Sequence, residues 1–472
     1  MKHEHNSYIL RLAGNLILLV FLVAKFAVVW FYYYVPILEE RNRNFYFWGN
    51  WAVIGVYLLF LIFFTKNFDG YKVDVLRVRN LCFSNILSVF GTNVAGNMLV
   101  WLLARQYTSI SPMVVLTLVQ WTFIVIWSII LRCIYIRIRQ PIRTLVLYER
   151  YLPYTFLQKE GTMKEKYEIC NYININKEEN ELFKAILCCD TVLFYDIPAQ
   201  TRNAYLKYCY EHRKGIIITP KISDIIISGA ETLHITDKPL LMIESRSLKV
   251  DQLIMKRTFD IILSTVAIVI SFPFMLLFAI IIKCYDGGKV FYVQERLTKD
   301  EKKFNIIKFR TMSEDSEKNG ARLAKKDDDR ITPIGRFLRS THLDELPQMI
   351  NILKGEMSLV GPRPERQEIV EKYVEHIPEF KYRLEVKAGL TGYAQIYGKY
   401  NTTPYDKLRL DLMYIENYSL ALDFKLMLLT FKIMFQKGNT EGVQENQQTA
   451  IEEIEFNNTA IEYESEGRER EV

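Results

Sequence analysis

The chain has no C-x-x-C pair among its seven cysteines, no glycine-rich turn after its first β-rich run, and a net charge of only +6 over 472 residues. Each absence removes a class of protein. Cys82, Cys133, Cys170, Cys188, Cys189, Cys209 and Cys284 are scattered without disulfide-framework or zinc-ligand spacing, and read as reduced, mostly core thiols of a cytoplasm-facing protein. The run TLVLY is followed by Glu149-Arg150-Tyr151-Leu152-Pro153 instead of glycines. Without glycines the backbone cannot approach a pyrophosphate, which argues against a dinucleotide site there. The small net charge hides an asymmetry, because the end of the chain is Glu-rich and the body is correspondingly more basic. A basic body can mean nucleic acid, and can equally mean anionic lipid or phosphorylated substrates.

What is present is apolar. Half the residues are hydrophobic and 13% are aromatic, which fits a membrane protein with soluble parts. Four stretches, roughly 9–34, 46–65, 81–104 and 112–136, are each near the ~20 residues a helix needs to cross a bilayer. Lys66, Lys72, Arg77 and Arg79 fill the second loop, and Arg132, Arg137, Arg139 and Arg143 follow the fourth stretch. The third loop offers Arg105 alone, and the first sets Arg41 and Arg43 beside Glu39 and Glu40. By the positive-inside rule both termini are cytoplasmic. The first apolar stretch is too long for a signal peptide and has no small-residue cleavage site. Lys25 within it is expected to snorkel or to face a partner helix.

From about Thr144 to Glu244, short β-rich runs alternate with helical stretches at 177–188 and 199–213, the pattern of a small parallel α/β domain. At Lys256-Arg257-Thr258-Phe259-Asp260 the chain turns apolar again through Ile282, with Ser271 and Pro273 near the middle. Pro273 removes a backbone hydrogen bond, and Lys256, Arg257 and Lys283 make both flanks basic. A kinked re-entrant helix that enters and leaves by the cytoplasmic face satisfies both features; the alternative is a proline-kinked spanning helix.

The densest chemistry lies in Ser340 to Glu365. Leu346 to Leu353 is an apolar-rich run ending at Lys354-Gly355, a helix C-terminal signature, and Pro347 is tolerable only in a first turn. Asp344 and Glu345 are therefore expected at or beside a helix N-terminus, where Thr341-His342-Leu343-Asp344 also has the form of a capping box. Pro362 and Pro364 fix the backbone on both sides of Arg363. Lys308 and Arg310 fall on one side of an extended run, Arg336 and Arg339 precede the acidic pair, and Lys387 opens Lys387-Ala388-Gly389-Leu390-Thr391-Gly392-Tyr393-Ala394-Gln395. So many cations around two carboxylates suit a polyanionic substrate, a diphosphate with a divalent cation fitting best.

The segments KRTFD, FYVQER, KFRTM, DELPQ, SLVGPRP and AGLTGYAQ, in that order from about Lys256 to Gly438, resemble the monotopic phosphoglycosyl transferases, the bacterial sugar transferase family. The four apolar stretches and the α/β module are similar to the larger members. One departure is Ser271-Phe272-Pro273, where many relatives place serine and proline adjacent. The resemblance implies a membrane α + α/β architecture. It implies four transmembrane helices over 1–140 and a degenerate Rossmann-like domain over 141–250. Also implied is a catalytic domain over 251–438 with a re-entrant helix at 256–284, and the acidic tail 439–472 is expected to be disordered. It implies transfer of a sugar 1-phosphate from a UDP-sugar to polyprenyl phosphate with release of UMP, at the cytoplasmic face of the bacterial inner membrane, with Mg²⁺ as cofactor. Membrane lipid is the remaining partner implied, no nucleic acid is expected, and a homodimer is compatible with it. Asp344 matches the family nucleophile and, with Glu345, the metal-holding pair. Arg339, Arg363, Lys308 and Arg310 are expected phosphate clamps, and Tyr393 and Gln395 are expected to line the nucleotide or sugar pocket. His342 is a further acid–base candidate. The rival reading is a non-enzymatic membrane scaffold or regulator of polysaccharide assembly, which a missing acid or missing proline-flanked arginine would favour; both are present.

Overall fold

The computed structural model describes residues 2–40, 47–138, 141–149, 166–233, 235, 237–243, 248–312, 330–398 and 402–434. The expectations for Arg41, Arg43, Arg139, Arg150 to Pro153 and the acidic tail lie outside these residues. Two compact units divide the chain between Thr219 and Pro220.

The first unit opens with α1 (Lys2–Val29), a π-helical stretch Trp30–Tyr34 and α2 (Val35–Glu39). Pro36 has no N–H to donate, and the chain accommodates this in the wide turn just before it, with Val35 N–H reaching back to Trp30 O. Three further apolar helices follow: α3 (Phe47–Asn67), α4 (Val78–Ala104) and α5 (Ser111–Ile138). With their apolar sides turned outward, they need polar groups paired within the bundle, since lipid offers no hydrogen bonds. One node does this for four helices. Tyr57 Oη donates to Asn93 Oδ1 at 2.6 Å, Asn93 Nδ2 to Gln120 Oε1 at 2.8 Å, and Gln120 Nε2 to Leu22 O at 3.0 Å. Lys25 is exposed, its ammonium 5.4 Å over the Phe21 ring.

The same unit carries an all-parallel sheet of β1 (Ile142–Tyr148), β2 (Tyr167–Asn174), β3 (Thr191–Tyr195) and β4 (Gly215–Ile218), in the order β2-β1-β3-β4. Its crossover helices are α6 (Glu179–Cys188) and α7 (Ala199–Glu211). Leu145, Leu147, Val192 and Phe194 are fully buried beneath them, the continuous apolar runs of a sheet covered by helices.

The second unit begins at Pro220, earlier than the expected boundary at residue 250. Helix α8 (Ile222–Ser228) and the hairpin β5 (Glu231–Leu233) and β6 (Leu240–Met242), read from sequence as part of the α/β module, belong here. The reason is burial: Ile222, Ile225 and Leu248 join one core with Phe304, Ile352, Leu408 and Leu412. Next come α9 (Val250–Asp286), which contains Pro273 and ends at Gly287, and the antiparallel hairpin β7 (Phe291–Leu297) and β8 (Lys303–Phe309). Then follow α10 (Pro333–Thr341), α11 (Gln348–Lys354), β9 (Ser358–Val360) and α12 (Gln367–His376). The chain continues through β10 (Gly389–Thr391), parallel to β9, then α13 (Tyr393–Tyr397), α14 (Pro404–Glu416) and α15 (Leu420–Met434). Among the described residues, five helices are long and apolar enough to cross a membrane, four in the first unit and α9 in the second. The protein is a membrane α + α/β protein.

Candidate active site

The acidic pair sits in the turn between α10 and α11. Helix α10 starts on Thr332, whose hydroxyl accepts Gly335 N–H at 3.0 Å, and ends where His342 takes a left-handed conformation, φ 56°. Leu343–Glu345 then forms one 3-10 turn, and Pro347 is the residue before α11. A prolyl nitrogen cannot donate, so no α-helical bond closes onto Leu343 from that position, and Leu346 N–H bonds Leu343 O at 3.3 Å instead. The capping box is not formed: Thr341 ends α10, and its hydroxyl donates back to Phe337 O at 2.9 Å. Left-handed His342 breaks the helix before a cap at Thr341 can start one.

The two carboxyls are electrostatically unlike. Burial raises both, but Lys308 Nζ lies 2.5 Å from Glu345 Oε1, and with Arg363 nearby it brings Glu345 down to about 2. Asp344 is pushed up to about 6 by burial and by the charge of Glu345, against the opposing pull of Lys308 and Arg339. His342 is lowered chiefly by burial, and its Nδ1 has no hydrogen-bond partner among the described residues. Arg339 is oriented by Nε donating to Thr311 Oγ1 at 2.8 Å. Gly335 makes room for this, since a Cβ there would lie 2.1 Å from Thr311 O. The structure thus gathers Lys308, Arg339, Asp344, Glu345 and Arg363. Arg310 is buried just beyond β8, its N–H on Val290 O at 2.9 Å.

Arg363 is held from behind. Arg383 Nη2 donates to Arg363 O at 3.0 Å and forms an ion pair with Asp411 Oδ2 at 2.9 Å, while Arg296 Nη1 reaches Pro364 O at 3.4 Å. Pro362 O accepts Gly389 N–H at 2.8 Å. That approach needs glycine, because a Cβ on Gly389 would fall 2.1 Å from Gly361 N. Just beyond, Gln395 Nε2 donates to Leu390 O at 3.0 Å, and the Tyr393 ring packs on Tyr397 with centroids 4.7 Å apart.

The clamp was missed in the sequence, where Lys256 and Arg257 read as basic flanks and as part of the KRTFD resemblance but with no partners assigned. Lys256 Nζ donates to Asp423 Oδ2 at 2.6 Å, Val360 O at 2.9 Å and Tyr414 Oη at 3.0 Å. Arg257 donates to Ile352 O at 2.6 Å and Leu353 O at 2.7 Å, satisfying carbonyls at the C-terminal end of α11. Asp260 Oδ1 accepts Leu359 N–H at 3.0 Å and the Ser358 hydroxyl at 3.1 Å. The first turns of α9 therefore grip α11, which follows the acidic pair, and β9, which precedes Gly361-Pro362-Arg363. The signal available was the i, i+4 spacing of Lys256 and Asp260 on one helix face.

Among the described residues no group of three or more His, Cys, Asp or Glu side chains could hold a metal ion. Two adjacent hard oxygen donors, one of them ionised well below neutrality, nonetheless fit Mg²⁺, which keeps several waters and takes one or two carboxylates beside substrate phosphates.

The family profile described as "Bacterial sugar transferase" matches residues 251–437, the part of the chain that carries this site. The chain is 40% identical over 180 residues to the UDP-N-acetylgalactosamine-undecaprenyl-phosphate N-acetylgalactosaminephosphotransferase of Aeromonas hydrophila, covering 38% of this chain and 43% of that one. It is 36% identical over 221 residues to the UDP-glucose:undecaprenyl-phosphate glucose-1-phosphate transferase of Klebsiella pneumoniae, covering 46% and 48%. The chain spans about half the length of these curated relatives. A shorter relative, the uncharacterized sugar transferase EpsL of Bacillus subtilis, is 35% identical over 200 residues, which are 42% of this chain and 95% of its own. Because that relative is covered over 95% of its length at 35% identity, and the family profile falls on the residues that build the acidic turn and its arginines, the chain belongs to the bacterial sugar transferase family.

Proposed function

We propose that the chain transfers a sugar 1-phosphate from a UDP-sugar to polyprenyl phosphate, releasing UMP. The carrying observation is the contact of Lys308 Nζ with Glu345 Oε1 at 2.5 Å, which holds that acid low while burial and the Glu345 charge push the neighbouring Asp344 up to about 6. A carboxylate that titrates near 6 is largely ionised at neutral pH yet more basic, and so more nucleophilic, than an ordinary one. Asp344 attacks the sugar-bearing phosphorus, forming an aspartyl phosphosugar as the bond to the UMP oxygen breaks. The phosphate oxygen of the lipid then attacks the same phosphorus, giving the polyprenyl diphosphate-sugar and freeing Asp344. Arg339 and Arg363, with Lys308 on Glu345, offset the repulsion between carboxylate and diphosphate. Asp344 and Glu345 would hold Mg²⁺, which supplies charge withdrawal from the phosphate when bound.

Both ends of α9 pack on the second unit, which supports a re-entrant course at the cytoplasmic face. Lys256 and Asp260 contact β9 from one end, and Phe278 and Ile282 bury with Phe309 and Leu338 at the other. Between them Val269, Ile270, Phe272 and Phe274 are exposed. Ends packed on one unit with an exposed apolar middle support entry and exit by the same face. Such a course brings a lipid headgroup and a soluble donor to one site, and the relatives' names carry both undecaprenyl phosphate and UDP-sugars.

The test is UMP release from a panel of UDP-sugars, with polyprenyl phosphate and Mg²⁺, by membranes containing the protein. Asp344→Asn is expected to abolish release; full activity in that variant would sink the mechanism.

A further inference from the structure

Arg257 and Lys387 lie side by side at the end of α11. A Cβ on Gly355 would be 3.4 Å from Arg257 Nη2 and 3.6 Å from Lys387 Nζ, so the two cationic groups flank the width of a single residue. Arg257 is bonded to two carbonyl oxygens, and Lys387 Nζ has no hydrogen-bond or ion-pair partner among the described residues. The acid acting on Lys387 is Asp260, and its Oδ1 is already taken by Ser358 and Leu359. Lys256 is also near, but it is matched by Asp423, and Lys299 adds another positive charge. Both Arg257 and Lys387 are half-buried. Burial, then the charge of Arg257, holds the Lys387 ammonium below the usual lysine range. Two partly desolvated cations side by side, neither ion-paired to a carboxylate among the described residues, form a site that an anion would relieve.

The surroundings select the kind of anion. Leu253, Ile254 and Met255 on the preceding turn of α9, and Ile261 and Ile262 on the following one, are exposed apolar side chains on a helix with the length and hydropathy of a membrane segment. Cations at such a level sit at headgroup depth. Asp344 and Glu345 precede the first turn of α11, whereas Gly355 caps its last, and seven residues at about 1.5 Å each separate them by roughly 10 Å. We propose that Arg257 and Lys387 form a binding site for the phosphodiester headgroup of an anionic phospholipid, seated where α9 enters the membrane and apart from the acidic pair. Its occupant would dock the second unit on an anionic leaflet, whatever sugar the chain transfers.

The full chain in phosphatidylcholine nanodiscs, with a photoreactive phosphatidylglycerol as probe, tests this by mapping crosslinked peptides by mass spectrometry. Crosslinks are expected on the peptides that carry residues 253–258 and 387, competed by unlabelled phosphatidylglycerol and not by inorganic phosphate. Lys387→Gln is expected to lower them about fivefold, the factor equivalent to about 1 kcal/mol for one basic group near an anionic surface, and Lys387→Arg to retain them. No crosslink at these peptides in the unaltered chain, or undiminished labelling in a folded Lys387→Gln, would overturn the site. Competition by inorganic phosphate but not by phosphatidylglycerol would overturn its lipid occupant.

Discussion

Lys308 reaches across from the end of β8 to Glu345, Nζ to Oε1 at 2.5 Å, and this contact makes one of two adjacent acids strong and leaves the other weak. Glu345 falls from 4.5 to about 2 on folding, so its contribution to stability is present above 4.5 and is lost as pH drops through about 2. Removing the ammonium with Lys308→Met takes away the largest charge that holds Glu345 down and leaves Arg363 to oppose burial. Acid unfolding, followed by circular dichroism, is expected to begin at a higher pH in this variant. At neutral pH the loss should be roughly 2–3 kcal/mol, the penalty for stranding a partly buried charge.

Asp344 carries the opposite sign. Its folded value of about 6 exceeds 3.8, so between these the folded chain keeps a proton that the unfolded chain has released, and stability falls as pH rises through that window. The ionised carboxylate is a burden at neutral pH. With divalent ions chelated, Asp344→Asn is expected to raise the melting temperature at neutral pH, by the equivalent of about 1–2 kcal/mol once residual solvent screening is allowed for. Below pH 4 the two proteins should melt together. A variant that is inactive yet more stable separates a chemical role from a structural one.

Lys256 and Asp423 are both buried and bonded at 2.6 Å. Lys256→Met should cost about 3–5 kcal/mol because it leaves Asp423 charged and unmatched, whereas Lys256→Met with Asp423→Leu should recover most of it. Thermal unfolding of the three variants in detergent gives the comparison. Additive losses in the double variant would show that the pair does not act as a unit.

For the course of α9, single cysteines at Thr258 and Lys289, both exposed, in a chain without its native cysteines are expected to react with an impermeant thiol reagent from the cytoplasmic face alone. Labelling from opposite faces would instead indicate a spanning helix.

What was legible in the sequence was what local rules control. Runs of about twenty apolar residues can bury their backbone polar groups only as helices, so the apolar stretches located α1 and α3 to α5 closely. Alternating β-rich and helical runs located the parallel sheet, and Gly355 located the end of α11, at φ 83°. The acidic pair was placed beside a helix start, because Pro347 permits little else. Tertiary structure decided everything that depends on partners distant in the chain. No periodicity could show that Lys308 would meet Glu345 and leave Asp344 the weaker acid, or that Ile222 and Leu248 would join the second core. Nor could it show that Lys256, Arg257 and Asp260 would grip α11 and β9. Charge pairing and burial are properties of a three-dimensional neighbourhood, which a one-dimensional pattern constrains only where neighbours in space are also neighbours in the chain.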